Sequence, residues 1–349
     1  TVGRARGLAV PRRERVPGRH LAGRRGFEPG GGGLRLLGEG GGIASQRLRA
    51  GEEGRAEGGA ARRRLQRGGR EDGAPVGLSP NVEPCVEPDP PHSWDTSRVA
   101  FDGGTNQGFV RSYLTSYGRS APAQIPMSYQ TRETQPVSYA LADHYALCQR
   151  WFSSLLTSTW PNRVYFHAAQ SQGQRGNDTP PGGTFTCRTL WDQLTDAGVD
   201  WGYYFTDLPT LALFGDRGHS DRLRFIEQFH ADAAAGVLPS VVCVDAGTGY
   251  NDDHPPNHPM LGQLFIGSIY RSLAASAHWD SSLFLVTYDE AGGFHDHVPP
   301  GTMDDDLAAE GFGQLGFRVP ALVAGPYVRN EVSDVVFDHT AALTFIQDQ

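Results

Sequence analysis

Lysine is missing altogether from this chain: its 31 basic side chains are all arginine. Such a bias fits a strongly GC-rich coding sequence. Aromatic residues are nearly missing from the first 80 positions, where Phe27 stands alone among 21 glycines and 17 arginines. A segment with so little apolar surface cannot offset the entropy of ordering its backbone. Residues 1–80 are therefore expected to be low-complexity and either disordered or mis-translated, and residues 81–349 to form the folded domain.

Cysteine is scarce. Cys85, Cys148, Cys187 and Cys243 lie far apart with no Cys-x-x-Cys pair, which excludes a cysteine zinc site. Cys148 and Cys243 fall in apolar periodic stretches and read as core residues. No run of 18 apolar residues occurs, which excludes a membrane-spanning helix. Arg12-Arg13 resembles a twin-arginine pair, but no apolar stretch or small-residue cleavage site follows, so no export signal is expected. Positive charge is also short where it would matter: the first 80 residues carry about +9, the remainder about −17, of the net −8. An acidic folded part argues against a basic groove and specific nucleic-acid binding. RNA binding would have to reside in the arginine-rich tail and be salt-sensitive.

Beyond Asn81, Trp, Tyr, Phe, Ile and Val become frequent. The Pro- and Gly-rich stretch from Pro84 to Asn106 reads as loop. Leu141, Tyr145, Cys148, Phe152 and Leu155 share one helical face, predicting a buried helix over 141–155. A helix around Leu190 to Leu194, stopped at Ala197-Gly198, precedes a short aromatic strand from Trp201 to Phe205. Leu223 to Ala235 reads as helix, Leu238 to Val244 as a strand ending at Asp245, and Leu261 to Ala275 as helix. Leu283 to Tyr288 and Val319 to Ala324 read as strands. This alternation predicts an α/β sandwich with a mostly parallel central sheet flanked by helices, with no internal repeat.

The strongest chemical signal is the run from Thr287 to Pro300, in which an apolar strand ends at Asp289-Glu290, a Gly292-Gly293 turn and His295-Asp296-His297. Open α/β sheets place ligands at the carboxyl ends of their strands, and two carboxylates at a turning strand end can converge on one cation. Asp296 and His297 could orient a ligand directly or from behind it. Thr159, just before Trp160-Pro161-Asn162-Arg163, stands at a predicted helix start, either as a cap or as a nucleophile facing free N–H groups. His92, in Asp89-Pro-Pro-His92-Ser-Trp94, and His254, in Asn251-Asp-Asp-His254-Pro-Pro256, sit in loops stiffened by proline. Either could donate to a phosphate oxygen or protonate a leaving alkoxide.

Taken together, Asp89 to Trp94, Tyr139 to Asp143, Thr159 to Arg163, Trp191 to Tyr204, Leu238 to Pro256, Thr287 to Pro300, Leu315 to Pro320 and Phe337-Asp-His-Thr340 resemble the bacterial phosphoesterase family. That family contains phospholipases C acting on phosphatidylcholine-type lipids and a group of acid phosphatases. The resemblance implies an alkaline-phosphatase-like core, one divalent metal ion on Asp289 and Glu290, and Thr159 as nucleophile. It further implies His92 and His254 at the phosphate or as acid, and Asn162 and His297 binding substrate. The substrate is expected to be a phospholipid cleaved on its glycerol side or, alternatively, a small phosphate ester. A secreted or periplasmic address is implied as well. A choline-type headgroup would call for an aromatic cage, for which Trp94, Trp160, Trp191 and Trp201 are candidates. The family's first motif, a Glu-Asn-Arg-Ser-Phe-Asp-like stretch supplying further metal ligands, has no counterpart, and the Gly/Arg-rich tail occupies its place. An inactive remnant that keeps a phosphate pocket is therefore a further alternative. Gln349 falls inside an expected helix, so a C-terminal lipid-binding domain is not expected in this chain.

Overall fold

The computed structural model describes residues 75–81 and 85–349. In chain order the elements are β1 (Ser79–Pro80), α1 (Trp94–Phe101), α2 (Phe109–Tyr117), β2 (Ser128–Tyr129), α3 (Pro136–His144), β3 (Ala146–Cys148), α4 (Thr159–Ala168), α5 (Leu190–Asp196) and β4 (Trp201–Phe205). They continue with β5 (Leu223–Phe225), α6 (Ile226–Ala235), β6 (Val241–Asp245), α7 (Pro259–Ala274), β7 (Phe284–Thr287), β8 (Ala321–Ala324), β9 (Glu331–Ser333) and α8 (Thr340–Asp348).

Two sheets carry the α/β architecture. In the order β5-β4-β6 all strands are parallel, with Trp201 opposite Val241 and Phe205 opposite Asp245. In the order β7-β8-β3-β9 the sheet is mixed: β8 runs antiparallel to β7 and β3, while β3 and β9 are parallel. Strand β4 is buried along its whole length, as a central strand packed on both faces must be. Trp201 and Tyr203 meet Trp191 and Leu194 of α5 in one cluster, and Tyr204 meets Phe229 of α6 and Ile269 of α7 in another. The short α5 is fixed at its start by reciprocal hydrogen bonds between Thr189 and Asp192, which satisfy two helix-end donors at once.

Several expectations change. The helix expected over 141–155 ends at His144. Residues 146–148 are instead extended between β8 and β9, because backbone pairing with distant strands outweighs a helical apolar spacing that a buried strand can also display. The first three residues of the expected 223–235 helix form the edge strand β5. The Pro84–Asn106 stretch holds α1, whose first turn is capped by the Ser93 hydroxyl. Most of the 1–80 segment lies outside the described residues. Its last few do not behave as a tail, since Val76 is buried against Tyr113 and Met127, and β1 pairs with β2. No helix among the described residues is long and apolar enough to cross a membrane.

Candidate active site

Functional side chains gather beyond the carboxyl ends of β6 and β7. The Asp89–His92 segment is held from α2, where Tyr117 donates its hydroxyl to the Asp89 carbonyl at 2.6 Å. From the other side Gly293 fits against Pro90; a Cβ at Gly293 would lie 2.7 Å from the Pro90 carbonyl oxygen. Asp89, His92 and His254 thereby converge, with one donor atom from each lying within 4.8 Å of the other two. His254 Nε2 is 3.7 Å from Asp89 Oδ2, and His92 Nε2 is 3.8 Å from Glu290 Oε1.

Both rings are oriented by backbone carbonyls. His92 Nδ1 lies 2.8 Å from the Pro90 oxygen and His254 Nδ1 lies 2.6 Å from the Pro255 oxygen. A carbonyl only accepts, so each Nδ1 carries a hydrogen and each ring turns its Nε2 toward a carboxylate. Asp89 Oδ1 is buried with no hydrogen-bond partner. Burial pushes the Asp89 carboxyl up from its ordinary value against the pull of the two histidines. Burial alone would lower the His92 imidazole, but Glu290 and Asp89 outweigh it and raise the value. Burial likewise raises Glu290.

Asp289 is engaged differently. Its Oδ2 accepts from Arg163 Nε at 2.8 Å and its Oδ1 from the Glu290 amide at 3.0 Å. Arg163 also donates to Thr210 Oγ1 at 2.9 Å and to Asp245 Oδ1 at 3.1 Å. The other Asp245 oxygen accepts from the Tyr203 hydroxyl and from both the amide and hydroxyl of Thr210. Burial would raise Asp245, but Arg163, Tyr203 and Thr210 more than reverse this and leave its carboxyl below the ordinary value. A half-buried guanidinium thus joins the ends of β6 and β7.

The expected metal pair is therefore split: Asp289 already has a cationic partner, and only Glu290 reaches the histidines. The donor set that suits a divalent ion is Asp89, His92 and His254. It combines two imidazoles whose other nitrogens bond backbone carbonyls with a carboxylate that has an unpartnered oxygen.

Thr159 is the first residue of α4, with Ser158 as N-cap, rather than the cap itself. Asn177 Oδ1 takes the Trp160 amide at 2.8 Å. Asn162, expected at the substrate, is fully buried and spent on backbone: it accepts from Leu155 N and donates to the carbonyls of Leu155, Thr157 and Ser158. Its role is to shape the turn that delivers Thr159. A narrow cavity bounded by Thr157, His92 and Glu290 runs from this turn to the His92 ring. His297 does not join the cluster; its side chain is 51% exposed and 3.7 Å from Asp296, which Arg318 holds through two bonds.

Three of the four candidate cage tryptophans are engaged elsewhere. Trp191 and Trp201 are core residues with ring centroids 5.0 Å apart, and Trp94 is stacked by Arg98 and Phe312. Sequence reasoning missed Asp89, although a carboxylate three residues before His92 across Pro90-Pro91 was a readable signal. It also missed Arg163, one helical turn after Thr159.

Residues 75–349 match the model of the Phosphoesterase family. Non-specific phospholipase C3 of Arabidopsis thaliana is 31% identical over 277 residues, 70% of this chain and 52% of the relative. Phospholipase C A of Mycobacterium tuberculosis is 31% identical over 316 residues, 75% of this chain and 59% of the relative. The chain thus spans between about half and three fifths of the length of these relatives, which come from plants as well as bacteria. A solved member of the alkaline phosphatase superfamily from Vibrio parahaemolyticus aligns at 11% identity with a TM-score of 0.41, covering 59% of this chain and 58% of that one.

Proposed function

This chain belongs to the Phosphoesterase family, and on that premise we propose that it is a metal-dependent phosphoric ester hydrolase of the phospholipase C kind. The observation that carries this reading is the convergence of Asp89, His92 and His254 beside Glu290. Asp89, His92 and His254 would hold one divalent cation, which when bound supplies positive charge to the phosphoryl oxygens.

The remaining chemistry falls to the protein's own groups. Thr159, at the start of α4 and two residues past the cavity-lining Thr157, attacks phosphorus through Oγ. As the P–O bond to the alcohol breaks, the proton given up by the Thr159 hydroxyl passes to the departing alkoxide, and a threonine phosphate ester that keeps the headgroup remains. Water then attacks that phosphorus, releasing the phosphorylated headgroup and restoring the Thr159 hydroxyl. Glu290 Oε1, facing the His92 ring, is the base suited to accept the water's proton. Asp289, clamped by Arg163, fixes the backbone from which Glu290 projects.

Phospholipid is the favoured substrate because the relatives at about 31% identity are phospholipases C. A second reading, phosphatase action on small esters, is favoured by the occupied faces of Trp94, Trp191 and Trp201, which leave recognition to the phosphate rather than to a choline group. Hydrolysis of p-nitrophenylphosphorylcholine and p-nitrophenylphosphate, with and without divalent metal and beside Thr159→Ala, tests both. Turnover that needs metal and Thr159 supports the proposal, and the preferred ester selects the branch. A folded protein without turnover on either ester or on phospholipid vesicles points instead to a phosphate-binding remnant.

A further inference from the structure

We propose that Tyr288 and Asp253 are positioning residues, forming a latch that fixes the His254 loop to the end of β7. This rests on the proposed role of His254 in the cluster. The Tyr288 hydroxyl donates to Asp253 Oδ2 at 2.6 Å. Tyr288 directly precedes Asp289 and Glu290, and Asp253 directly precedes His254, so one hydrogen bond joins the two segments that supply the site.

The latch is built in from three sides. Asp253 holds a left-handed backbone conformation, φ 62°, which Asp adopts more readily than most non-glycine residues and which sets the direction of the loop into His254. Its carboxylate lies on the bare Cα of Gly262 in α7, where a Cβ would come within 2.1 Å of Oδ1. Behind Tyr288 stands Ser138 of α3, close to the phenol. Ser138 is itself gripped by the buried Gln263 through its amide at 2.8 Å and its hydroxyl at 3.0 Å. Residues from α3, α7, the segment after β7 and the His254 loop thus meet around the Tyr288 hydroxyl. His254 Nε2 stands 3.7 Å from Asp89 Oδ2, so a ring displacement of about an ångström would open the cluster.

The test is Co²⁺ titration followed by visible absorption, with the ring ¹⁵N resonances of His254 recorded in metal-free protein. It compares the unaltered chain with Tyr288→Phe, Asp253→Ala and Asp253→Asn. Tyr288→Phe and Asp253→Ala should weaken Co²⁺ binding about 10- to 100-fold and shift or broaden the His254 resonances. Asp253→Asn keeps an oxygen that accepts the Tyr288 hydroxyl and should stay within about threefold of the unaltered chain. Unmoved affinity and resonances in Tyr288→Phe would overturn the latch. If the unaltered chain takes up no Co²⁺, the cation reading fails, and the His254 resonances alone then decide: movement in Asp253→Ala but not Asp253→Asn supports the latch, and no movement overturns it. The Asp253 pair also keeps the test open should Tyr288→Phe fail to fold.

Discussion

Arg163 and Asp289 lie 126 residues apart in sequence and 2.8 Å apart in space, Nε to Oδ2. The same guanidinium reaches Asp245, so the ends of β6 and β7 share one cation. Arg163 is also four residues after Thr159 on α4, on the same helical face. The helix that presents the candidate nucleophile is thereby pinned to both strand ends.

Replacing Arg163 should be costly. Arg163→Met leaves Asp245 and Asp289 without their counter-charge and is expected to destabilise the fold by about 3 kcal/mol. Arg163→Lys keeps the charge but loses the fork that spans two carboxylates, so it should recover only part of that stability. Urea denaturation of the three proteins measures both effects.

Thr159→Ala should reduce phosphoric ester hydrolysis about a thousandfold or more while leaving the melting temperature near that of the unaltered chain, because the Thr159 side chain is only partly buried. Thr159→Ser retains a hydroxyl and should retain turnover. Acid-quenched protein probed for phosphothreonine at position 159 checks the covalent step directly.

Divalent metal should stabilise the chain through Asp89, His92 and His254. At free metal a hundredfold above the dissociation constant the gain is about 2.7 kcal/mol, visible as a rise in melting temperature that a chelator reverses. The double replacement His92→Ala/His254→Ala should show no metal-dependent rise. A rise that persisted would place the ion elsewhere.

Gly293→Ala tests the seam between the Asp289–Gly293 turn and the histidine loop. Gly293 has φ 71°, and an added Cβ would meet the Pro90 carbonyl oxygen at 2.7 Å. Left-handed strain and the clash together should cost about 2–3 kcal/mol. Thermal unfolding reads the loss, and a stability equal to that of the parent would show that the seam gives way easily.

Asp192 supplies an acid-side stability signature outside the candidate site. Burial pushes its carboxyl up, but the Thr189 amide and hydroxyl, His219 and Arg217 more than offset this and hold it below its ordinary 3.8. A folded value below the unfolded one means a contribution that is complete above pH 3.8 and lost as pH falls through the folded value. Asp192→Asn should therefore be less stable than the parent at neutral pH, with the difference shrinking in acid. Urea midpoints recorded from neutral pH down to the acid limit of folding test the sign.

Much of this was legible along the chain. The strand end at Asp245, the apolar strand leading to Asp289-Glu290, the aromatic strand Trp201–Phe205, the helix starting at Thr159 and the two proline-stiffened histidine loops are local patterns, each set by neighbours within a few residues. The break at His144 was not legible, because the apolar spacing of residues 141–155 suits a buried strand as well as a helix and only pairing with β8 and β9 decides between them. Nor was the employment of Asn162, whose partners at Leu155, Thr157 and Ser158 are near in sequence but are met only once the turn has formed.

By itself the sequence determined which residue types stand at the strand ends and loops, and with them the α/β class and the family, since alternating apolar periods and short motifs are properties of neighbouring positions. Only the tertiary structure decided which of these groups meet. Arg163 takes Asp289 while His92 faces Glu290, and Asp89 rather than Asp289 completes the histidine set. Ionic and coordinating groups choose partners by distance, burial and ring orientation, and those follow from how β6, β7 and α4 pack together.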